Sequence, residues 1–266
     1  MISFLFIASL ITGLLAGILA GLLGVGGGIL IVPALLMLFH LDGINPVIAM
    51  QLATGTSLAT IVVTNCSAIW NHHKRHAVDW KIVPQYIPGV ILGAWLGAQG
   101  AALISGELLR TLFGLFEIAI GLQMVRSHSP NPPSHFSVPE YLHPVLGIGI
   151  GMLSSLFGIG GGTLSVPVLN LIVGLPILQA VGSASAIGLA IAVAGASGYI
   201  HAGWGLTTLP HDALGFVVPT AFYGIICGTL LTTHLGVRLA HTLPANQLKR
   251  GFGLFLLLVG FKLLWH

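Results

Sequence analysis

The chain has 266 residues, of which 55% are hydrophobic and only 6% carry a charge. A soluble domain carries about a quarter charged residues, so lipid rather than water is the main solvent of this chain. Nine Lys/Arg against six Asp/Glu give a formal charge of +3, and the cations are spread over short loops rather than gathered on one face, which excludes a nucleic-acid footprint.

A membrane-spanning helix needs about 20 mostly apolar residues. The first such run covers 3–23. It has no basic leader and passes straight into a glycine cluster, so it is expected to remain a span rather than to act as a signal peptide. The cluster is "GVGGG", Gly24–Gly28, followed by a short apolar run at 28–40 that ends well before the next span. Spans are expected at 46–70, 82–104 and 108–126, with the basic loop "NHHKRHAVDWK" between the first two. The segment "RSHSPNPPSHFSVPEY", Arg126–Tyr141, is polar and rich in proline and serine. Beyond it come a span at 142–158, a second cluster "GIGGG" at Gly158–Gly162, a short run at 162–175, and spans at 178–201, 213–233 and 247–265. Cys66 and Cys227 fall inside apolar stretches without a CxxC partner, so they are expected to pack, not to form a disulfide or a zinc site.

The two parts of the chain repeat one another. At a constant offset, Gly24, Gly26, Gly27, Gly28, Val32 and Pro33 match Gly158, Gly160, Gly161, Gly162, Val166 and Pro167. Further on, Pro88, Gly93 and Gly97 match Pro219, Gly224 and Gly228, and the "FGLF" at 113–116 recurs at 252–255. The order is kept and the offset drifts only by loop lengths. Residues 1–126 and 142–266 are therefore expected to be two membrane repeats, joined by a polar linker at 127–141.

Charge sets their relative orientation, because Lys and Arg in short loops mark the cytoplasmic side. Lys74, Arg75 and Lys81 occupy the loop after the 46–70 span, whereas the matching loop of the second repeat, "HAGWGLTTLPHD", has no Lys or Arg. The following loop of the second repeat carries Arg238, Lys249 and Arg250. A bias that reverses between repeats requires an odd number of crossings in each, so the short runs 28–40 and 162–175 are expected to cross. The expected fold is an all-α polytopic membrane protein. It has two inverted repeats of about five helical segments each, broken helices near the midplane, and both termini outside.

The glycine clusters carry the first functional expectation. Irregular backbone survives at membrane depth only where protein or water satisfies its N–H and C=O groups. A break followed by a helix leaves the first helical N–H groups uncapped, with partial positive charge, and transporters built from inverted repeats hold anions near the midplane this way. Gly24, Gly26, Gly27 and Gly28, with Gly158, Gly160, Gly161 and Gly162, are thus candidate substrate-binding residues. A P-loop is excluded, since no Lys-Ser/Thr follows and no βαβ unit surrounds the glycines. Close helix packing is the competing explanation for such glycines.

A polar block follows each break, "QLATGTSLA" at 51–59 and "QAVGSASAI" at 179–187. Thr54, Thr56, Ser57, Ser183 and Ser185 place hydroxyls inside spans, where they either donate to an anion's oxygens or bond helix carbonyls. Glu117 is the only acid well inside a span. It marks either an ion or proton pathway or a structural partner for Arg110. His72 and His76 have metal-ligand spacing on a helix, but adjacent Lys74 and Arg75 disfavour a cation, and the loop is expected to be solvated. No nucleophile and base form a recognisable catalytic motif, and no cofactor is implied.

The two "GxGGG…VP" blocks, the "TGTSLA" stretch and the two similar halves resemble the TauE/SafE sulfite-exporter family of membrane permeases. The likeness spans nearly the whole chain, with "GSASAI" standing where a Thr is expected in the second repeat. The resemblance implies a secondary permease of the bacterial inner membrane for sulfite, sulfonates and related small anions, moved by alternating access between the two repeats. A metal-ion permease using the histidine loop and a membrane-embedded enzyme or assembly factor are the alternatives.

Overall fold

A computed structural model describes residues 4–23, 27–126, 139–240 and 245–265. Gly24, Gly26 and most of the polar linker lie outside the described residues. Every regular element among the described residues is helical. The first half of the chain supplies α1 (Phe4–Leu23), α2 (Gly28–Leu41), α3 (Pro46–Lys74), α4 (Val83–Leu103) and α5 (Gly106–Arg126). The second supplies α6 (His143–Leu156), α7 (Gly162–Pro167, prolonged by a π turn at Val168–Ile172), α8 (Ile177–Gly203), α9 (Pro219–Ala240) and α10 (Ala245–Trp265). The fold is all-α. Among the described residues α3, α4, α5 and α8 are each long and apolar enough to cross a membrane, and α2 is a shorter apolar helix.

Local chemistry sets the helix starts. Asn45 caps α3 by accepting from the Val47 N–H at 3.0 Å, with Pro46 in the first helical position, where its missing N–H costs nothing. The expected span at 213–233 begins later than its hydropathy suggests. Residues 204–218 form a loop closed by a bridge between Leu214 and Val217, and α9 starts at Pro219. Cys66 and Cys227 are free but exposed, so the expectation that both pack inside is corrected. Both helices turn those positions outward, where a small apolar thiol meets lipid without cost.

Close approaches of backbone give the helix directions. Gly89, Gly93 and Gly97 of α4 lie against the carbonyls of Pro144, Ile148 and Met152 on α6, in the same order, so α4 and α6 are parallel. Gly13 and Gly17 of α1 abut Ile225 and Thr229 of α9 in the same sense. By contrast α3 and α8 are antiparallel: Gly55 meets Tyr199, Leu58 meets Gly195, Asn65 meets Gly188 and His72 meets Gly182. The α5–α10 pair is antiparallel too, with Gly114 on Gly260 and Gly121 on Gly253. Asp79 at the head of α4 bonds Ser183 near the start of α8, and Gln99 near the end of α4 bonds Gly198. Thus α6 and α8 both run with α4, and the chain between them must travel back through the thickness of the bundle. That return is α7 and its π turn.

These directions are consistent with two inverted repeats: α3 and α8, and likewise α5 and α10, meet head to tail. They also gather Lys74, Arg75, Lys81, Arg126, Arg238, Lys249 and Arg250 at one end, leaving Arg110 and Lys262 toward the other. By the bias of Lys and Arg toward the inner side, the cation-rich end is expected to face the cytoplasm. Exposed Trp70, Trp80 and Tyr141 ring it, and exposed Trp204, Tyr223 and Trp265 ring the outer end, as aromatic side chains do at the two membrane interfaces.

The repeats are interlocked. α1 packs on α9 of the other repeat and α6 on α4. One hydrophobic cluster joins α4 (Tyr86, Val90, Ala94) to α6 (Ile150), the π turn (Leu169) and α8 (Ala184, Ile187, Ile191). The other joins α1, α2 and α3 to α9 (Ala221, Ile225), with α5 and α10 alongside. Each cluster thus takes helices from both halves of the sequence.

Candidate functional site at the crossing of the glycine breaks

Both breaks turn on a left-handed glycine. Gly27 (φ 71°) caps α2 and Gly161 (φ 75°) caps α7, neither helix receiving a side-chain cap. A residue with a Cβ is strained at such φ. The Gly27 carbonyl accepts from the Leu30 and Ile31 N–H groups at 3.0 and 3.1 Å, and Gly161 accepts from Leu164 and Ser165 in the same way. The two turns are built alike, as the repeated motif requires.

The structure brings these turns together. A side-chain carbon on Gly28 would stand 2.7 Å from the Gly158 carbonyl and 3.0 Å from the Ile159 Cα. Gly158 itself (φ 67°) abuts Thr54 and Val32, Gly160 abuts Ile61, and Gly161 abuts Gly188 and Ile191. Ile61 is at the middle of α3 and Gly188 at the middle of α8, so the breaks cross at mid-depth. Gly162 begins α7 directly after this crossing.

The hydroxyl block divides into three kinds. Thr54 Oγ1 donates to the Met50 and Gln51 carbonyls of its own helix, and Ser185 Oγ to Val181. Ser57 Oγ instead donates 2.7 Å across to the Gly158 carbonyl, which ties α3 to the second break. Thr56 and Ser183 form a duplicated latch. Thr56 Oγ1 accepts from the Val218 N–H while the preceding Gly55 makes room for the Phe216 carbonyl. Ser183 Oγ accepts from the Asp79 N–H while the preceding Gly182 makes room for the Ala77 carbonyl. One latch holds the outer loop 204–218 and the other the cytoplasmic loop 75–82.

Glu117 is fully buried and both its carboxyl oxygens lack a partner; Arg110 Nε is also buried and unpartnered. Among the described residues the two form no ion pair, so Arg110 is not the acid's structural partner. Glu117 shares the α5 face that crosses α10 between Gly114 and Gly121. Phe113, one turn before it, meets Phe157 at the edge of the second break edge-on, and Phe116, beside it, stacks on the same ring, with ring centroids 6.0 and 4.7 Å apart.

Several polar atoms around the second break escaped the sequence reading. Asn65 Nδ2, Ser154 Oγ, Ser155 Oγ, Thr163 Oγ1 and Ser165 Oγ are all buried without a partner. A signal was present: Thr163 and Ser165 stand where the first repeat has Ile29 and Ile31, a polar substitution confined to one break. The histidine loop is occupied otherwise. Trp80 Nε1 donates to His73 Nδ1 at 3.1 Å, and among the described residues no three His, Cys, Asp or Glu side chains are grouped to hold a metal. A cavity of about 450 Å³ lies at the outer end, lined by the 203–215 segment including Trp204, Thr207 and His211.

An apolar exterior, interface aromatics at both ends and a polar crossing at mid-depth define a multi-pass membrane protein of the transporter class. The comparisons agree: residues 9–263 match the family described as "Sulfite exporter TauE/SafE". The chain belongs to that family and is a membrane transporter. A "Probable membrane transporter protein" of Haemophilus influenzae is 34% identical over 240 residues, 90% of each chain. A protein of the same name from Xylella fastidiosa is 32% identical over 250 residues, covering 92% of this chain and 89% of its own. YunE of Bacillus subtilis, also named a probable membrane transporter protein, is 27% identical over 98% of each chain. No solved structure matches the chain.

Proposed function

We propose that this transporter is a secondary permease that moves small sulfur-containing anions, sulfite and sulfonates, across the inner membrane by alternating access. The observation that carries the reading is the crossing of two left-handed glycine turns, at Gly27 and Gly161, at mid-depth between α3 and α8. Helix starts with uncapped N–H groups favour negative charge, and binding at the midplane is where both sides of the membrane can be served in turn. Gly27 and Gly28 with Gly158, Gly160, Gly161 and Gly162 form the backbone of the site in this reading; Gly24 and Gly26 of the same motif lie outside the described residues. Ser57 is the hydroxyl best placed beside it. Thr54, Thr56, Ser183 and Ser185 support it by holding helices and loops in register. Residues 1–126 and 142–266 are the two repeats and 127–141 their linker. Glu117 is the proposed coupling group, because an unpartnered intramembrane acid close to the site is costly unless it serves transport.

Uptake of labelled sulfite, methanesulfonate and thiosulfate by proteoliposomes tests the proposal. Gly27→Val and Gly161→Val are expected to abolish uptake while the protein still inserts and keeps its melting temperature within a few degrees. Uptake that persists in both folded variants removes the breaks from the site. A loss of uptake that simply follows a loss of stability reduces them to packing.

A further inference from the structure

Two loops carry the chain from one hydrophobic cluster to the other. Loop 75–82 leads from α3 to α4 at the cation-rich end, and loop 204–218 leads from α8 to α9 at the opposite end. Each leaves one helix of the antiparallel α3–α8 pair and is fastened to the other, and the two fastenings match bond for bond. In the first, the Ala77 N–H donates to the His72 carbonyl of α3 at 3.0 Å and the Asp79 N–H to Ser183 Oγ of α8 at 2.9 Å. In the second, the Phe216 N–H donates to the Tyr199 carbonyl of α8 at 3.2 Å and the Val218 N–H to Thr56 Oγ1 of α3 at 3.0 Å. The glycines before the two hydroxyls complete the match. A side-chain carbon on Gly182 would stand 3.3 Å from His72 Cβ, and one on Gly55 would stand 3.1 Å from Tyr199 Cβ. Along α3, Gly55 and His72 are about 25 Å apart at 1.5 Å per residue, close to the roughly 30 Å of a bilayer's apolar core. The loops therefore strap α3 to α8 near the two faces of the membrane, with Ile61 and Gly188, where the second break crosses, between them.

A passage between α3 and α8 opens at either face only when the strap there lifts. The latch chemistry suits such a release. A hydroxyl is both donor and acceptor, so a freed Thr56 or Ser183 can turn to a carbonyl of its own helix, as Thr54, Thr60 and Ser185 do. The freed N–H groups of Val218 and Asp79 lie just ahead of α9 and α4 and meet the water that enters. Opening thus exchanges one set of hydrogen bonds for another. The two straps are unequal. Gly215, Phe216, Val217 and Val218 are all buried, and Phe216 meets the Tyr199 ring edge-on with centroids 6.3 Å apart. Within 75–82 only Val78 is buried, and Trp80 and Lys81 are exposed.

Resting on the alternating-access reading above, we infer that Thr56 and Ser183 are positioning residues of the transport cycle. The Thr56–Val218 latch closes an outer gate, the Ser183–Asp79 latch closes an inner gate at the cation-rich end, and the two are released in turn. The less buried Ser183 strap is the weaker, so the protein without substrate opens first at the inner end.

The test joins two readouts on the full chain in proteoliposomes of known orientation, with Cys66 and Cys227 replaced by alanine. Spin labels at exposed Val47 and Leu206 report the outer strap, and labels at exposed Leu178 and Lys81 report the inner one. Without substrate, the inner pair is expected to show the larger open population. Thr56→Ala should raise the open population of the outer pair about fivefold, the worth of one neutral hydrogen bond, and lower that of the inner pair. Ser183→Ala should do the reverse. Thr56→Ser and Ser183→Thr, which keep the acceptor, should restore the wild-type label distributions. Half-saturation for labelled methanesulfonate added from each side follows the populations. Thr56→Ala should lower the outer value and raise the inner, and Ser183→Ala the opposite. A purely structural role would loosen one pair without closing the other and would move both half-saturation values in one direction. That outcome, in variants whose melting temperature shows them folded, overturns the gate assignment. A more open outer pair in the substrate-free wild type overturns the resting preference. If folded wild-type protein takes up none of sulfite, methanesulfonate and thiosulfate, the sulfur-anion reading fails, and the label distances by themselves decide the gates.

Discussion

Glu117 shows how much a single buried group can decide. Had it been paired with Arg110, removing its charge would strand a buried cation at a cost of about 3–5 kcal/mol. The structure has no such pair. Glu117→Gln is therefore expected to change stability by less than about 1 kcal/mol, while uptake loses its acceleration by an imposed proton gradient. Melting temperature and pH-driven uptake measured on one preparation separate the outcomes: a strongly destabilised variant restores the structural role, and unaltered proton dependence removes the coupling role. Ser57 belongs to the same scale. Its bond to the Gly158 carbonyl is worth about 1 kcal/mol between membrane helices. Ser57→Ala should thus weaken the crossing of the breaks without unfolding the protein, which a small fall in melting temperature would register.

At the scale of helices, stability rests on paired close approaches rather than on a water-driven core, since lipid tails compete equally for apolar side chains. Gly93 lies against the Ile148 carbonyl of α6, and Gly13 lies against the Ile225 carbonyl of α9. Each glycine admits the backbone of a parallel partner, α6 against α4 and α9 against α1. Gly93→Val and Gly13→Val should each force their pair apart and cost about 1–3 kcal/mol or more, to similar extents, as read by thermal melting in detergent. The same packing defines which helices move together. Spin labels at exposed Leu15 of α1 and Leu230 of α9 should keep their separation when substrate is added. Labels at Leu15 and exposed Leu92 of α4 should change theirs. A fixed Leu15–Leu92 distance under turnover conditions would tell against rocking of the two interlocked bodies.

For the whole molecule the decisive property is orientation. With Cys66 and Cys227, both exposed, first replaced by alanine, single cysteines at His73 and Arg250 are expected to react with an impermeant maleimide only from the cytoplasmic side. One at Gly205 should react only from outside. Labelling of His73 and Gly205 from the same side would make the repeats parallel and remove the shared midplane. The directions seen in the helix pairs, antiparallel for α3–α8 and parallel for α4–α6, are incompatible with that result.

The sequence by itself determined the solvent, the helix count and the repeat. A chain with 6% charged residues has to bury its backbone polarity in helices, and the doubled "GxGGG…VP" blocks announce two equivalent breaks. Charge placement sets the expected orientation, since cations near spans respond to the membrane rather than to tertiary packing. Other features became visible only in three dimensions. Thr56 and Ser57 are neighbours of the same chemical type, yet one latches a loop and the other ties down a break, because a helix sends successive side chains about 100° apart. That Asn65 lies against Gly188 depends on the antiparallel register of α3 and α8, set by small residues spread over 29 and 27 positions. No local pattern encodes such a meeting. The exchange of α4 and α9 between the two bodies is likewise a property of how the repeats interlock, since glycine-rich helix faces are alike in sequence and only close packing selects which of them pair.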